Sequence, residues 1–249
     1  MTAVQSNRCK PSYFTNTPAG ASPFASEKSH EMSGPIVVIN PNSNQAVTDG
    51  LDRALAPFRL ADGPQIKCVT LAGGPFGVES QVHSDQVVLP LVNLLKQHKD
   101  ASAFVIACYS DPGIDACRSV SPVPVFGIQE SGVLMALSRA DRIGIVAISG
   151  ASEKRHRLYM RRIGVTARVA GERALNMTVD ESARGTGTFA RLQQIGRQLI
   201  DDGAEALVLG CAGMAVHRAP LEQDLGIPVI DPTQAAVAAA LGTVLAKLL

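Results

Sequence analysis

The sequence predicts an α/β fold built from two similar halves, each with a parallel β-sheet, and three observations support this prediction. Short apolar segments alternate with longer helical patterns, as they do in βαβ units. Aromatic residues make up only 4% of the 249 residues and tryptophan is absent, so small aliphatic residues must fill the core, which suits helices packed on parallel sheets. The alternation also restarts midway along the chain, so the second half repeats the plan of the first.

Four apolar segments in each half have the length and composition of buried strands. The first half has them at 36–40, 66–70, 104–108 and 125–128, and the second half at 143–148, 165–170, 207–211 and 229–230. Helical patterns lie between the strands, at about 44–57, 79–98, 112–119, 131–139, 151–163, 185–202 and 217–224. The apolar segment 235–249 predicts one more buried helix.

Residues 1–33 do not share this alternation. They are rich in Ser, Thr, Pro and Ala without apolar periodicity, so we expect a disordered extension. The first 26 residues contain no Asp or Glu but do contain Arg8 and Lys10, a composition that faintly resembles an organelle transit peptide. A non-native extension ahead of Met32 is the interpretation we prefer.

Composition and spacing argue against several classes of protein. The net charge of +1 gives no argument for nucleic acid, and no apolar stretch reaches the ~20 residues of a membrane span. The five cysteines are odd in number and sparse, and no apolar signal peptide precedes them, so we expect free thiols in a reducing compartment, the cytoplasm. No Cys or His spacing suits a metal site, and no Lys ends a predicted strand where pyridoxal phosphate would need it. We therefore expect a small-molecule substrate and no cofactor.

Two cysteines occupy equivalent places in the two halves. Cys108 and Cys211 each end the third predicted strand of their half, and ligands of open parallel sheets bind beyond the carboxyl ends of the strands. If the halves face each other about a pseudo-twofold axis, the two thiols lie on opposite walls of one cleft. Buried free cysteine often only fills space, and we assign that role to Cys68 and Cys117. For Cys108 taken alone, core packing is an equally good interpretation.

The turns after the two cysteines predict reactive thiols. Asp111 is expected to cap a helix whose first residue is Pro112. After Cys211, Ala212 and Gly213 let the backbone come close to a ligand. Both environments should lower the thiol pKa from about 8.5 toward neutrality, where a thiol is a good general acid or base. Two such groups on opposite sides of a substrate predict racemisation or isomerisation, although one thiolate could instead attack carbon.

Other polar residues collect at the same edge of the predicted sheets. The segment after the first strand supplies Asn40, Asn42 and Ser43, which can bind amide, imide or carboxylate groups. An Asx turn before a helix explains these residues equally well. The equivalent segment of the second half supplies Ser149 and Gly150, which we expect to play the same part.

Three further features receive ordinary structural interpretations. Ser152 is expected to be a helix cap. Glu79 and His83 have i,i+4 spacing, which we interpret as a solvated pair on one helix. The basic segment 154–162 also contains apolar positions, so it predicts an exposed helix face without a role in nucleic-acid binding.

Taken together, five motifs resemble those of the aspartate/glutamate/hydantoin racemase superfamily, and most closely its hydantoin and allantoin racemase branch. They are INPNS at 39–43, GPFGVES at 74–80, ACYSDPG at 107–113, GIQESG at 127–132 and GCAGM at 210–214. The resemblance spans residues 35–232, and the two Cys motifs in this order after the INPN opening are its most specific part.

The resemblance implies two flavodoxin-like domains related by pseudo-twofold symmetry, with the active site in the cleft between them. The first domain would comprise residues 34–130 plus 232–249, because the last helix returns to it, and the second would comprise residues 131–231. The resemblance also implies catalysis without a cofactor or metal, and it allows a homo-oligomer.

The resemblance further assigns roles to individual residues. Cys108 and Cys211 would be the two acid/base residues. The groups that hold the ring carbonyls or the developing enolate would be Asn42, Ser110, Ala212 and Gly213. Glu130 matches a polar position of the family pattern without a clear role. The chain departs from that pattern at Tyr109 and at AISG, 147–150, which stands where a Thr pair is more usual, and both positions are expected to contact the substrate.

Three functions are compatible with these residues. The first is a racemase acting on a 5-substituted hydantoin, allantoin or a similar cyclic ureide. The second is a maleate-type cis–trans isomerase, or a racemase of aspartate or glutamate, within the same superfamily. The third is a small-molecule binding protein without catalysis, because a fold does not determine a function. The paired thiols argue against the third.

Overall fold

A computed structural model describes residues 34–184 and 187–247 of the chain. The predicted N-terminal extension, with Cys9, lies outside the described residues. The described residues form one compact unit, which contains both sheets. In the part of the chain that is described, no helix is long and apolar enough to cross a membrane.

Two four-stranded parallel sheets confirm the predicted α/β fold. The first has the order β2-β1-β3-β4 and the second β6-β5-β7-β8, so each half has the same strand order. The first sheet consists of β1 Ile36–Asn40, β2 Ile66–Thr70, β3 Ala103–Ile106 and β4 Val125–Gly127. The second consists of β5 Ile143–Ala147, β6 Val169–Ala174, β7 Ala206–Gly210 and β8 Val229–Ile230. This order is the flavodoxin-like one, in which β1 and β5 are the inner strands at the point where the winding reverses.

Helices cover both sheets. They are α1 Gln45–Ala54, α2 Gln81–Gln86, α3 Val88–Gln97, α4 Ile114–Val120, α5 Ile128–Leu137, α6 Gly150–Arg162, α7 Val179–Arg184, α8 Thr188–Asp201, α9 Arg218–Leu225 and α10 Pro232–Ala246. Short 3₁₀ turns occupy Ala56–Phe58, Thr166–Arg168 and Ala212–His217. The predicted helix 79–98 is two helices that meet at Val87. Pro90 fits only the first turn of α3, because in a helix interior its ring would clash with the carbonyl of Gln86.

One predicted strand is misplaced. The segment 165–170 begins with a 3₁₀ turn, and the strand lies four residues later, at Val169–Ala174. β6 is an edge strand paired only with β5, and each of its residues is half-buried. Its sequence VAGERA therefore lacks the apolar run that marks the inner strands.

Helices α5 and α10 exchange sides between the two halves. α5 follows β4 of the first sheet and packs on β7 and β8 of the second, while α10 follows β8 of the second sheet and packs on β1, β3 and β4 of the first. The two helices also pack against each other so closely that a Cβ on Gly132 would lie 2.8 Å from Pro232. One hydrophobic core consequently runs through both halves and includes Val38 and Val208 together with Val133 and Val237 of these helices.

Asp111 caps a different helix from the one that the sequence predicts. The helix after it begins at Ile114, and its N-cap is Gly113, with a left-handed φ of 67°. Asp111 itself has a φ of 42° and accepts hydrogen bonds from the amides of Gln129 and Glu130, each at 2.9 Å, at the start of α5. Burial raises the pKa of this carboxyl to about 7, although both amides lower it. Asp111 therefore ties the loop after β3 to the helix that leaves the first sheet.

Candidate active site

One small cavity collects the loops that follow β1, β3, β5 and β7, two from each half. Among the residues predicted from the sequence, those that line the cavity are Asn42, Cys108, Tyr109, Ser110, Cys211, Ala212 and Gly213. Cys108 lies two residues beyond the end of β3 and Cys211 one residue beyond β7. The repeated strand order therefore brings two thiols about a hundred residues apart in sequence to the same cavity.

Each thiol has a serine hydroxyl as its neighbour. The Cys108 sulfur lies 3.4 Å from Ser110 Oγ, and the Cys211 sulfur lies 3.6 Å from Ser182 Oγ. Ser182 belongs to α7 and was not singled out in the sequence. The Gly213 amide also hydrogen-bonds the Cys211 sulfur. Each hydroxyl can donate to a thiolate or accept from a thiol.

The prediction that both thiols have a lowered pKa is wrong. Burial raises the pKa of Cys108 to about 11, and it outweighs the Ser110 hydrogen bond and the Arg155 charge, which both lower that pKa. Burial likewise raises the pKa of Cys211 above its ordinary value, against the hydrogen bonds from Ser182 and Gly213. The loops of both halves remove the sulfurs from water, and desolvation disfavours a charged group. Both thiols are therefore protonated at neutral pH.

Asn40 and Ser43 do not line the cavity. Asn40 is fully buried, and its side-chain amide donates to Asn42 Oδ1 at 2.9 Å and to Thr48 Oγ1 at 3.0 Å. This residue therefore shapes the loop after β1, which agrees with the Asx-turn interpretation. Asn42 Oδ1 also accepts from the Asn44 amide at 2.9 Å, so the NH₂ group of Asn42 is the part available to a ligand.

Ser149 and Ser152 exchange the places that the sequence predicts for them. Ser149 is the N-cap of α6, and its hydroxyl accepts a hydrogen bond from the Ser152 amide at 3.3 Å. Gly150 is exposed and, like Ser149, does not line the cavity. Ser152, expected as the cap, lines the cavity instead and is buried. The reason is that α6 begins at Gly150, whereas a helix capped by Ser152 would begin three residues later.

Two residues of the basic segment 154–162 also line the cavity, contrary to the prediction of an exposed face. Arg155 and His156 lie on the side of α6 that faces the thiols. His156 is 2% exposed, and its Nδ1 lies 2.5 Å from Glu172 Oε1 on β6. Its ring packs edge-on against Tyr109, with 4.8 Å between ring centroids. The sequence did contain a signal for this face: Ser152, His156 and Met160 recur every four residues, and the structure buries all three.

The other acidic residues noted in the sequence do not line the cavity. Glu79 precedes α2 rather than pairing with His83 along it: the Glu79 amide donates to His83 Nδ1 at 3.3 Å, and Glu79 Oε1 accepts from the Val179 amide at 3.2 Å. Glu130 accepts from the Tyr159 hydroxyl at 3.0 Å and pairs with Arg118. Both residues join neighbouring elements around the site.

Removing His156 should destabilise the protein. His156→Ala leaves the Glu172 carboxyl group buried without its partner, and breaking such a buried pair costs about 3–5 kcal/mol in the free energy of unfolding. Urea unfolding followed by circular dichroism measures this loss. His83→Ala, a half-buried histidine of α2, is the control and should change little. A loss for His156→Ala no larger than that of the control would contradict the buried pair.

The fold and cavity define an α/β protein with two parallel sheets and two thiols, one half-buried and one buried, on equivalent loops. Comparison with known proteins identifies the family. The sequence profile of the Asp/Glu/Hydantoin racemase family matches residues 36–240. The chain belongs to this family, and it is a racemase.

Individual relatives agree with this assignment. The chain is 34% identical to a hydantoin racemase of Paenarthrobacter aurescens over 210 residues, which cover 81% of this chain and 87% of the relative. It is 35% identical to a hydantoin racemase of Pseudomonas sp. strain NS671, over 81% of this chain and 82% of the relative. The structure of an allantoin racemase from Klebsiella pneumoniae superposes with a TM-score of 0.80 at 29% identity, covering 87% of this chain and 89% of that one.

Proposed function

We propose that this racemase acts on a 5-substituted hydantoin, allantoin or a similar cyclic ureide, with Cys108 and Cys211 as its acid and base. The observation that carries the proposal is the presence of both thiols in one cavity, each on the loop after the third strand of its sheet. The hydantoin and allantoin racemases to which the chain is similar support the substrate class.

The charges around the cavity favour a cyclic ureide over an amino acid. An amino acid carries an ammonium group, which needs an acidic partner, and none of the described residues that line the cavity is Asp or Glu. A neutral ring with carbonyl oxygens needs hydrogen-bond donors instead. The Asn42 amide and the Ser110 hydroxyl are donors at the cavity wall, which Ala212 and Gly213 also line.

The reaction requires one thiolate and one thiol at a time. The thiolate takes the proton from the ring carbon beside the carbonyl, and the electron pair of the broken C–H bond moves into an enolate. The opposing thiol then gives its proton to the other face of that carbon, which restores the carbonyl and yields the other enantiomer. The two cysteines exchange roles in the reverse direction, so no metal or organic cofactor is needed.

Tyr109 is the residue that we expect to influence the choice of substrate. Its hydroxyl is buried and has no hydrogen-bond partner among the described residues. A buried hydroxyl without a partner costs free energy, and a substrate oxygen at the cavity wall would supply the missing bond.

Free thiols are also essential to this mechanism, so we place the enzyme in a reducing compartment, the cytoplasm.

Deuterium incorporation tests the proposal. A single enantiomer of a 5-substituted hydantoin or of allantoin is incubated with the enzyme in D₂O, and the products are analysed by NMR and chiral chromatography. We expect the newly formed enantiomer to carry deuterium at the ring carbon, because its proton comes from a thiol that exchanges with solvent. A cis–trans isomerase would not exchange that position. Failure to racemise any cyclic ureide above the enzyme-free rate would overturn the substrate class.

A further inference from the structure

Arg155 brings a positive charge to the cavity wall. It is the only Lys or Arg among the described residues that line the cavity. The hydrogen bonds of its guanidinium go to neutral acceptors: Nη1 donates to the main-chain oxygens of Glu79 at 3.2 Å and Ala151 at 3.3 Å, and Nη2 donates to Ser152 Oγ at 3.2 Å. Its Nε is buried without a hydrogen-bond partner in the described part of the chain.

This guanidinium is held in place across the two halves of the molecule. Arg155 belongs to α6 of the second half, whereas Glu79 lies in the loop ahead of α2 in the first half. Arg155 also lines a more open outer groove, which it shares with Ser110, Leu158 and Arg162. It therefore lies between the thiol cavity and the solvent side of the site.

The charge of Arg155 reaches the Cys108 sulfur. It acts to lower the pKa of that thiol, and a Cys108 thiolate acts to raise the pKa of Arg155. A half-buried cation bonded only to neutral groups is partly desolvated, so it attracts a nearby negative charge more strongly than a solvated one would. The proposed reaction places a negative charge first on a cysteine sulfur and then on the enolate oxygen of the substrate.

We propose that Arg155 is a catalytic cation, whose guanidinium stabilises the negative charge that forms on the Cys108 sulfur and then on the enolate oxygen of the substrate. The inference rests on the proposed racemisation of a cyclic ureide. The enolate oxygen is bonded to the carbon next to the one that loses its proton. Arg155 and Cys108 line the same small cavity, so this cation is close to both sites of charge, and its unpartnered Nε supplies a donor for the oxygen.

A purely structural role is the alternative. The bonds of Arg155 to Glu79 and Ala151 could simply fasten α6 to the loop ahead of α2. Arg162→Met is the matched control for this alternative, because Arg162 lies on the same helix and in the same outer groove. It pairs with Asp115 at 2.8 Å and 2.9 Å, outside the cavity.

The first experiment compares the racemisation kinetics of Arg155→Met, Arg155→Lys and Arg162→Met. We expect Arg155→Met to lower kcat/KM about 10²-fold or more, as the loss of one oxyanion donor does, and to act mainly on kcat. Arg155→Lys retains the positive charge without the planar guanidinium, so its kcat/KM should be at least about tenfold higher than that of Arg155→Met. Arg162→Met should stay within about twofold of the wild type. A wild-type-like kcat/KM for Arg155→Met would overturn the proposal, as would equal losses for the Met and Lys variants.

The second experiment measures the alkylation of Cys108 by iodoacetamide as a function of pH, with site-specific detection by mass spectrometry. The other titratable groups around this thiol, Cys211, Asp111, His156 and Tyr109, are retained in every variant. Arg155→Met should move the alkylation profile to higher pH, and Arg162→Met should leave it in place. An unshifted profile in Arg155→Met would overturn the proposal.

The two experiments also separate this inference from the proposed function. Alkylation needs no substrate, so the effect of Arg155 on the thiol is measured even if the enzyme racemises none of the cyclic ureides offered. Conversely, the wild-type enzyme could racemise a hydantoin while Arg155→Met changes neither the kinetics nor the alkylation profile. That result would reject the catalytic role of Arg155 and leave the two-thiol reaction unaffected.

Discussion

Replacing either thiol by a hydroxyl, in Cys108→Ser or Cys211→Ser, will lower the kcat of racemisation by about 10²–10⁴-fold, the usual contribution of a general acid or base. Both groups are needed in each direction, since one removes the proton and the other delivers it. A serine hydroxyl holds its proton far more tightly than a thiol, so it cannot take over as the base. The substitution is small in volume, so we expect both variants to fold.

Circular dichroism of a single substrate enantiomer follows the loss of optical activity directly. The control is Cys68→Ser, because Cys68 is a half-buried cysteine of β2 that does not line the cavity. This variant should keep the wild-type rate. Turnover at the wild-type rate in either Cys108→Ser or Cys211→Ser would rule out the two-base reaction.

The second large effect concerns pH. We expect kcat/KM to rise by about tenfold for each pH unit between roughly pH 8 and pH 10, as the fraction of thiolate does below its pKa. Burial raises the pKa of Cys108 to about 11 and also raises that of Cys211. A raised thiol pKa means that the protonated form dominates at lower pH, so activity is lost as the pH falls. Asp111, with a pKa of about 7, is already ionised in this window.

The pH profile is measured with the free enzyme at substrate concentrations well below KM. Because cyclic ureides also racemise in alkali, the rate of the double variant Cys108→Ser/Cys211→Ser is subtracted at each pH. Thermal unfolding at both ends of the range checks that the fold persists. A profile that is flat over this window would show that at least one thiol is ionised near neutrality, as the sequence alone suggested.

The strands and the thiol pair could be predicted because their signals are local. An apolar run that ends in a cysteine and a turn is visible in ten residues, and its recurrence in the second half reveals the repeat. The helix α6 was misjudged because basic residues dominate its sequence, and only packing decides that Arg155 and His156 face inward. Asp111 was misjudged for a similar reason, since the amides that it binds lie 18 and 19 residues further along the chain.

The pKa direction of the thiols could not be predicted from the turns that follow them. Those turns do supply donors: the Gly213 amide and the Ser110 and Ser182 hydroxyls all favour the thiolate. Desolvation has the larger effect, and segments remote in sequence contribute to it: Val179 of α7 and Val78 of the loop ahead of α2 line the same cavity as the sulfurs. A sequence shows the donors beside a cysteine, but it does not show how much water the rest of the chain removes.

The exchange of α5 and α10 between the halves has a consequence for protein synthesis. Strands β1, β3 and β4 are translated within the first 127 residues, yet the helix that packs on them is Pro232–Ala246. A growing chain therefore cannot complete its first sheet until more than a hundred further residues have left the ribosome. During that interval one face of the sheet is exposed, which is the stage at which chaperone binding would matter most.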